Sequence, residues 1–467
     1  MVIEDFSAGV DLRRSAVTAQ GRSLRKLVNA FVNGGGEIEK REAFILAVPA
    51  GNLAGTYGLR AISGALYVFG AGSRPAGLNA GLGYQQLAGA SIQRISDTEV
   101  FNNKLYVVVQ QSPGVYKHYY DGVLVTEAPN SAVVMAHRSK MYAVASNIVY
   151  FSGLDDPVHW TSGSGGTVGA GFIQVDSADD GMITLMGMSP YYDQLALLGR
   201  NSIQLWSMDE DPKLNQLIQT LAGIGLITPL GVGRYATGDV LFLHDSGIRS
   251  IRARDSSNAA SVNDIGSPID EELRTFIQTA KNNNSGGAPI PPDLVGIETV
   301  TEPTTGQFWV NMGNSVYVLS IAPSAKISAW SRHDPGFKVD YFAVSNSLLW
   351  LRSGDNLYTY GGGYGGYDNS VAEVITPMNP GTSPATNKMF TAMDAALEGT
   401  WTFEVGTDPS IPDTRELVAT ITGPSFSQQS IGLQNTGTHI GVRVTNSDAA
   451  RSRIGNMIFH YREGAVD

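Results

Sequence analysis

From about residue 60 to residue 370 the chain repeats one phrase: an apolar run of four to six residues, a polar turn, then a second apolar run. Copies start near Ile62, Phe101, His137, Tyr191, Thr237, Thr305 and Val344. Turns of Asn, Asp, Ser and Gly between alternating apolar runs mark β-hairpins, because these residues tolerate the left-handed backbone angles of a tight connection. Starts lie about 36 to 68 residues apart, around the roughly 40 to 50 residues of a four-stranded propeller blade. The pattern predicts an all-β protein built on a β-propeller of six or seven blades over residues 46–370, each hairpin forming half a blade. A β-sandwich with a coincidental rhythm is the alternative. The widest gap contains Asn282 to Pro292, read as an exposed loop. Ile269, Leu273, Phe276 and Ile277 follow helical spacing just before it and predict a short helix.

The two ends read differently. Residues 1–45 form an N-terminal arm for subunit contacts, with seven basic against five acidic residues up to Arg41. Leu24, Leu27, Val28 and Phe31 permit a short amphipathic helix, or the same residues lie extended along a partner; Gly34, Gly35 and Gly36 end the segment either way. Removing residues 1–41 is expected to leave a folded subunit that assembles poorly. Residues 371–467 lose the repeat. Prolines punctuate alternating runs such as Trp401–Val405, Leu417–Ile421, Ile440–Val444 and Met457–Tyr461, which predicts a C-terminal antiparallel domain resembling a β-sandwich.

Composition narrows the picture. Charged residues are 16% of the chain, and 54 glycines and 21 prolines accompany them, which suits short strands joined by many turns. Zero cysteine excludes disulfides, thiolate metal sites and cysteine nucleophiles. A formal charge of −11 argues against a protein that grips nucleic acid through its phosphates. Met1-Val2-Ile3-Glu4-Asp5 has the wrong sign for a signal peptide, and no run of about 18 apolar residues predicts a membrane-spanning helix.

Candidate chemistry is sparse. Phosphate-loop and serine-hydrolase motifs are absent, and the Gly34–Gly36 and Gly361–Gly366 clusters read as tight turns. No two of the seven histidines sit at metal-ligand spacing. Asp176, Asp179 and Asp180 before Gly181 lack the spacing of a calcium loop and read as a turn. No catalytic, cofactor-binding or metal-binding residue is assigned, no cofactor is expected, and the protein is read as no enzyme. The stretch from Ser152 through Asp155 and Asp156 to Trp160 partly matches the turn that sialidase propellers repeat. Arg200, Arg249, Arg252 and Arg254 would have to converge for such a site to hold a carboxylated sugar.

The opening of the chain resembles that of tail nozzle or tail tube proteins of short-tailed bacteriophages, the family of packaged-DNA stabilisation or tail accessory factors. The residues concerned are Asp5-Phe6-Ser7-Ala8-Gly9, Asn29, Gly36 and Glu39-Lys40-Arg41, although Glu42-Ala43 replaces the Pro-Gly common there. Val149–Ser152 with Asp156, Pro157 and Trp160 is similar to a phrase of that family, as are Asp180–Leu185, Asn201–Trp206 and Gly223–Ile248. The resemblance implies a structural virion protein: one subunit of a hexameric ring that continues the DNA channel below the portal and adaptor, carries fibres or spikes, and passes genomic DNA without specific binding. It implies assembly in the host cytoplasm and a location in the virion tail. Asp5, Phe6, Arg13, Arg14, Asn29, Lys40 and Arg41 are then the expected subunit-interface residues. The alternative function is a glycan-binding or glycoside-hydrolysing β-propeller, which requires carboxylates converging on a pocket and exposed aromatic platforms. Trp160, Trp206, Trp330 and Trp350 lie in apolar runs and read as core.

Overall fold

A computed structural model describes the whole chain except residues 20, 164–167, 178–180, 236–237, 254–263, 382, 425–430 and 465–467. Between residues 44 and 360 seven groups of strands follow one another in chain order. The first is Tyr57–Ile62, Ala65–Gly70 and Gly83–Gln86. The second is Arg94–Phe101, Lys104–Ser112, Val115–Tyr120 and Val123–Leu124. The third is Val134–His137, Lys140–Ala145, Ile148–Phe151 and Gly171–Gln174, and the fourth Leu185–Tyr191, Gln194–Gly199, Ser202–Ser207 and Gln216–Ala222. The fifth is Val232–Tyr235, Asp239–His244 and Gly247–Ser250. The sixth, Thr299–Thr301, Phe308–Met312, Ser315–Ala322 and Ile327–His333, continues into a larger sheet. The seventh, Tyr341–Ser345, Leu348–Ser353 and Asn356–Tyr360, takes Phe44–Val48 as its fourth strand.

Turn chemistry sets the hairpins. Asn102 and Asn103, Arg138 and Ser139, and Asn346 and Ser347 are pairs with both φ values positive, between 44° and 58°, the geometry whose twist matches the flanking strands. Side-chain alternation sets the packing. In Lys104–Ser112, Leu105, Val107 and Val109 join Phe69 and Ile95 between the first and second groups. Tyr106 and Val108 join Met141, Ala143 and Trp160 between the second and third. Both faces of a middle strand are therefore covered, which is why these strands read as continuous apolar runs. Apolar clusters likewise fill the space between each later pair of groups. One of them joins Val48 and Leu357 of the seventh group to Leu59 and Leu66 of the first. The first strands of successive groups pack side by side, and Tyr341–Ser345 packs against Tyr57–Ile62.

Two enclosed carboxyls cross these seams. Asp97 in the second group accepts from the Val134 amide of the third at 2.9 Å, and Glu298, just before the sixth, accepts from the Phe342 amide of the seventh at 2.8 Å. Burial pushes both pKa values up to about 7.

The ends of the chain combine. Lys26–Val28 lies between Ile327–His333 and Ala372–Ile375 in an eleven-stranded sheet that continues through Gly441–Asn446, Thr400–Gly406 and Glu416–Thr422. Ala30–Val32, Ile38–Lys40 and Val2–Ile3 join Lys388–Glu398, Ile431–Gly437 and Arg453–Glu463 in a six-stranded sheet. Their shared core includes Leu24, Leu27, Ile38, Trp330, Val374, Trp401, Phe403, Val442 and Ile454. The segment around Leu24–Phe31 is thus extended; Asn29, at φ 52°, separates its two strands. The short strands within residues 1–40 belong to these sheets, and of the residues expected at a subunit interface Phe6, Asn29, Lys40 and Arg41 are buried. The helix Asp270–Asn282 occurs where its spacing placed it, burying Leu273, Ile277 and Ala280, with three acids in its first turn and Lys281 in its last. The architecture is all-β, made of many small sheets with none closed on itself. Among the described residues no helix is long and apolar enough to cross a membrane.

Candidate functional site

A cleft of about 600 Å³ opens where the hairpin of Ala30–Lys40, the loop after Thr301, the end of the seventh group and the loop carrying Arg451 meet. Three carboxylates line it. Glu39 accepts from Arg451 Nε at 2.7 Å and Nη2 at 3.1 Å, and from Asn33 Nδ2. Glu302 closes its own turn, accepting from the amides of Thr304 and Thr305 at 2.9 and 2.6 Å and from the Thr305 hydroxyl. Glu42 differs. Its amide donates to the Tyr360 hydroxyl at 3.1 Å, while its carboxyl has no donor among the described residues. Burial, then the nearby Glu302 and Glu39 charges, raise its pKa above the usual carboxylate range, against a smaller opposing pull from Arg451.

Local backbone explains how Glu42 fits. Gly361 has φ 69°, and a Cβ there would lie 1.8 Å from Glu42 Oε2. Only glycine lets the loop pass this carboxyl. Ala43 donates to Gly366 O and accepts from Gly361, so the loop wraps the strand start. Tyr364 at the loop tip is fully exposed, and Tyr367 after it lines the cleft. Burial, with Glu39 and Glu42 close by, pushes the Tyr367 hydroxyl up to about 12, so it stays a neutral donor. The arrangement offers one unengaged carboxyl, tyrosine hydroxyls and an aromatic face to a small polar molecule.

The residues expected at a subunit interface divide into two sets. Phe6 is buried in the shared core. Asn29, Lys40 and Arg41 form one interior knot beside the cleft. Asn29 Nδ2 donates to Val371 O, and its Oδ1 accepts from Arg41 Nε at 3.0 Å and from the Asp334 amide. Lys40 Nζ donates to the carbonyls of Asp368 and Asp448 at 2.9 and 2.5 Å. Arg41 pairs with Asp368 at 3.0 Å and lies over the Phe44 ring. Asp5 accepts from Ser7 and lies 3.5 Å from Arg22. Arg13 binds Asp11, and Arg14 is exposed.

Other sequence candidates do not assemble. Arg249 is buried against Asp270 and Asp264, and Arg254, Asp179 and Asp180 lie outside the described residues. Asp176 accepts from Asn147 and Gln174. The Ser152–Trp160 turn is bonded within itself and to its neighbours, with His159 bonded to Asp156, Trp160 Nε1 to Pro157 O and the Trp160 amide to Glu127. Among the described residues no group of His, Asp and Glu could hold a metal ion. Glu42, Glu302 and Tyr367 escaped sequence reasoning. The available signals were Glu39 and Glu42 flanking two bases, and a glycine run dense enough to accommodate an intruding side chain.

No family model matches the chain, and no curated protein matches it. Among solved structures the chain is similar to the extracellular domain of BT4673 from B. thetaiotaomicron, described as a one-component system in one structure and a hybrid two-component system in another. The first is 11% identical, over 91% of this chain and 62% of that one, with a TM-score of 0.40. The second is 10% identical, over 86% and 58%, with a TM-score of 0.41. The extracellular domain of the hybrid two-component system BT3049 from the same organism is 9% identical, over 94% and 56%, with a TM-score of 0.40. The chain spans about three fifths of the length of these structures. A likeness this distant assigns no activity and no ligand.

The tail-protein expectation is corrected here. The solved structures named above are extracellular domains of bacterial one- and two-component systems rather than tail nozzle or tube proteins. The hexameric ring, the adaptor or portal neighbour, the fibres or spikes, the transit of genomic DNA and the virion location are withdrawn with it. The motif residues have a physical explanation within the chain: Phe6, Asn29, Lys40 and Arg41 are used to fasten its two ends together.

Proposed function

We propose that the chain is a seven-bladed β-propeller module that binds carbohydrate without turning it over, and that Glu42 marks the sugar seat. The seven strand groups in serial contact support the ring, as does the packing of the seventh on the first. So does Phe44–Val48, which precedes the first group in sequence and completes the last.

The binding reading rests on one observation: a half-buried carboxyl in a 600 Å³ cleft with no donor among the described residues, beside two carboxylates that are satisfied. Such a group is a ready acceptor for vicinal hydroxyls, and a free acceptor in a cleft gains most from a ligand that donates to it. Tyr364, exposed at the tip of the loop whose Gly365 and Tyr367 line the cleft, is available as a platform for a sugar face. The acidic lining favours neutral sugars or amino sugars over anionic ones. Hydrolysis commonly uses a pair of carboxyl groups; Glu39 and Glu302 are already engaged, which favours binding alone.

Arrayed neutral and amino-sugar oligosaccharides test this, followed by calorimetry on the best binder and chromatography of the recovered glycan. Glu42→Gln and Tyr367→Phe should each weaken binding about 10-fold, equivalent to about 1.4 kcal/mol, and the glycan should be recovered intact. An array with no binder, or a Glu42→Gln variant of unchanged affinity, would overturn the assignment.

A further inference from the structure

A second pocket, of about 320 Å³, lies where the first, second and seventh strand groups meet the segment entering the sixth. Three cations and two carboxylates line it: Arg94, Lys338 and Arg352, with Asp340 and Asp355. Their duties differ. Arg352 is consumed by the fold, donating to the carbonyls of Thr56, Gly58 and Gly354 at 2.6 to 2.8 Å, with Asp355 3.6 Å away. Asp340 accepts from the Gly354 amide. Lys338 is exposed and has no carboxylate within ion-pair distance among the described residues.

Arg94 is the unusual member. Its Nε makes one long contact, 3.4 Å to Ile95 O, and its two terminal nitrogens have no acceptor among the described residues. Elsewhere arginines such as Arg41, Arg443, Arg451 and Arg453 are held by carboxylates. Yet Arg94 is not loose. The Tyr341 ring lies under the guanidinium at 5.6 Å, and Tyr341 is itself anchored by its hydroxyl to Ile95 O at 3.1 Å. On another side is Gly296, at φ 94°, where a Cβ would lie 2.5 and 2.7 Å from the two terminal nitrogens. The Tyr341 ring thus supports one face of the fork, and the absence of a side chain at Gly296 keeps the space in front of its terminal nitrogens open, with their donors unused. An arginine fork ordered before binding loses little entropy when an anion arrives.

We propose that this pocket binds a carboxylate-bearing ligand of the uronic acid class, with the carboxylate bidentate on Arg94 and Lys338 as the second cation. Two parallel N–H donors match a planar carboxylate. The five lining groups sum to one positive charge, which suits a monoanion; Asp340, Asp355 and the enclosed Glu298 carboxyl, which also feels Arg94, oppose a dianion. This site is separate from the Glu42 cleft and does not depend on it.

Calorimetry on the full chain with sodium glucuronate, glucose and inorganic phosphate tests the proposal. Glucuronate should bind at least 10-fold more tightly than glucose or phosphate. Arg94→Lys keeps the charge but loses the fork, and should weaken glucuronate at least 10-fold with an unchanged circular dichroism spectrum. Lys338→Ala, at the rim, should weaken it about 3-fold and serves as the readout if Arg94→Lys misfolds. No glucuronate binding, full affinity in Arg94→Lys or, should that variant misfold, in Lys338→Ala, or tighter binding of phosphate would each overturn it.

Discussion

Residues 44–360 and the two ends of the chain solve the same problem, covering both faces of a strand, in opposite ways. In the middle region nearly every strand pairs with the next one along, through a turn of a few residues. At the ends partners are hundreds of residues apart: Val28 pairs with Arg332 and Glu373, and Ile38 with Ile454. Polar side chains do much of the joining there. The Asn29, Lys40 and Arg41 knot reaches Asp334, Asp368, Val371 and Asp448, and Arg451 reaches back to Glu39. Locally paired sheets are held by apolar seams that tolerate exchange of similar side chains. Distant segments need directional bonds that specify one partner, and such buried groups are costly to leave unmatched.

The largest expected effect comes from deleting residues 1–41. Both terminal sheets lose strands and the shared core loses Phe6, Leu24, Leu27 and Ile38, so the product should lack a cooperative thermal transition for the C-terminal region and recover poorly in soluble form. A cooperative, soluble truncated protein would show that the ends are not mutually dependent. Next, Arg41→Ala should cost about 3 kcal/mol in urea unfolding, because Asp368 and Asn29 Oδ1 lose the buried guanidinium donor. A loss below about 1 kcal/mol would mean that the knot contributes little.

The seams of the middle region are probed by pH. Asp97 and Glu298 have folded pKa values of about 7, above those of an unfolded chain. The folded state therefore binds more protons, and stability falls as pH rises from about 4 to about 7. Asp97→Asn with Glu298→Gln keeps an acceptor at each seam and removes the titration. The double variant should gain roughly 1–3 kcal/mol relative to the parent between pH 5 and pH 8, read from melting temperatures across that range. Parallel pH profiles would refute the assignment. The smallest effect belongs to Arg14, exposed and without a side-chain partner among the described residues; Arg14→Ala should change stability by less than about 0.5 kcal/mol in urea.

Legibility in the sequence follows the same division. Hairpins near Phe101, His137 and Val344 were readable because Asn102–Asn103, Arg138–Ser139 and Asn346–Ser347 encode their own turns. The helix at Asp270–Asn282 was readable because one face alone is buried. Leu24–Phe31 was ambiguous for a physical reason: spacing that fits a helical stripe also fits two short strands broken at Asn29, and only distant strands decide between them. The cleft was illegible. Glu42, Glu302 and Tyr367 are far apart in the chain, and what distinguishes Glu42 is a missing donor, which no local pattern records. Of the four basic residues read as contact surface, Arg13 and Arg14 are exposed while Lys40 and Arg41 are interior, and a buried lysine aimed at carbonyls looks the same in sequence as a solvated one.

Phe44–Val48 has a consequence for how the molecule is made. It emerges from the ribosome some three hundred residues ahead of Asn356–Tyr360, the strand that completes its pairing. Until then it is an unpaired ribbon in which Ile45 and Leu46 adjoin Phe44, a liability for the nascent chain because open edges recruit neighbours. The seventh group can be completed only once Tyr360 has been made, more than three quarters of the way along the 467 residues, so earlier termination leaves this ribbon without its partner strand.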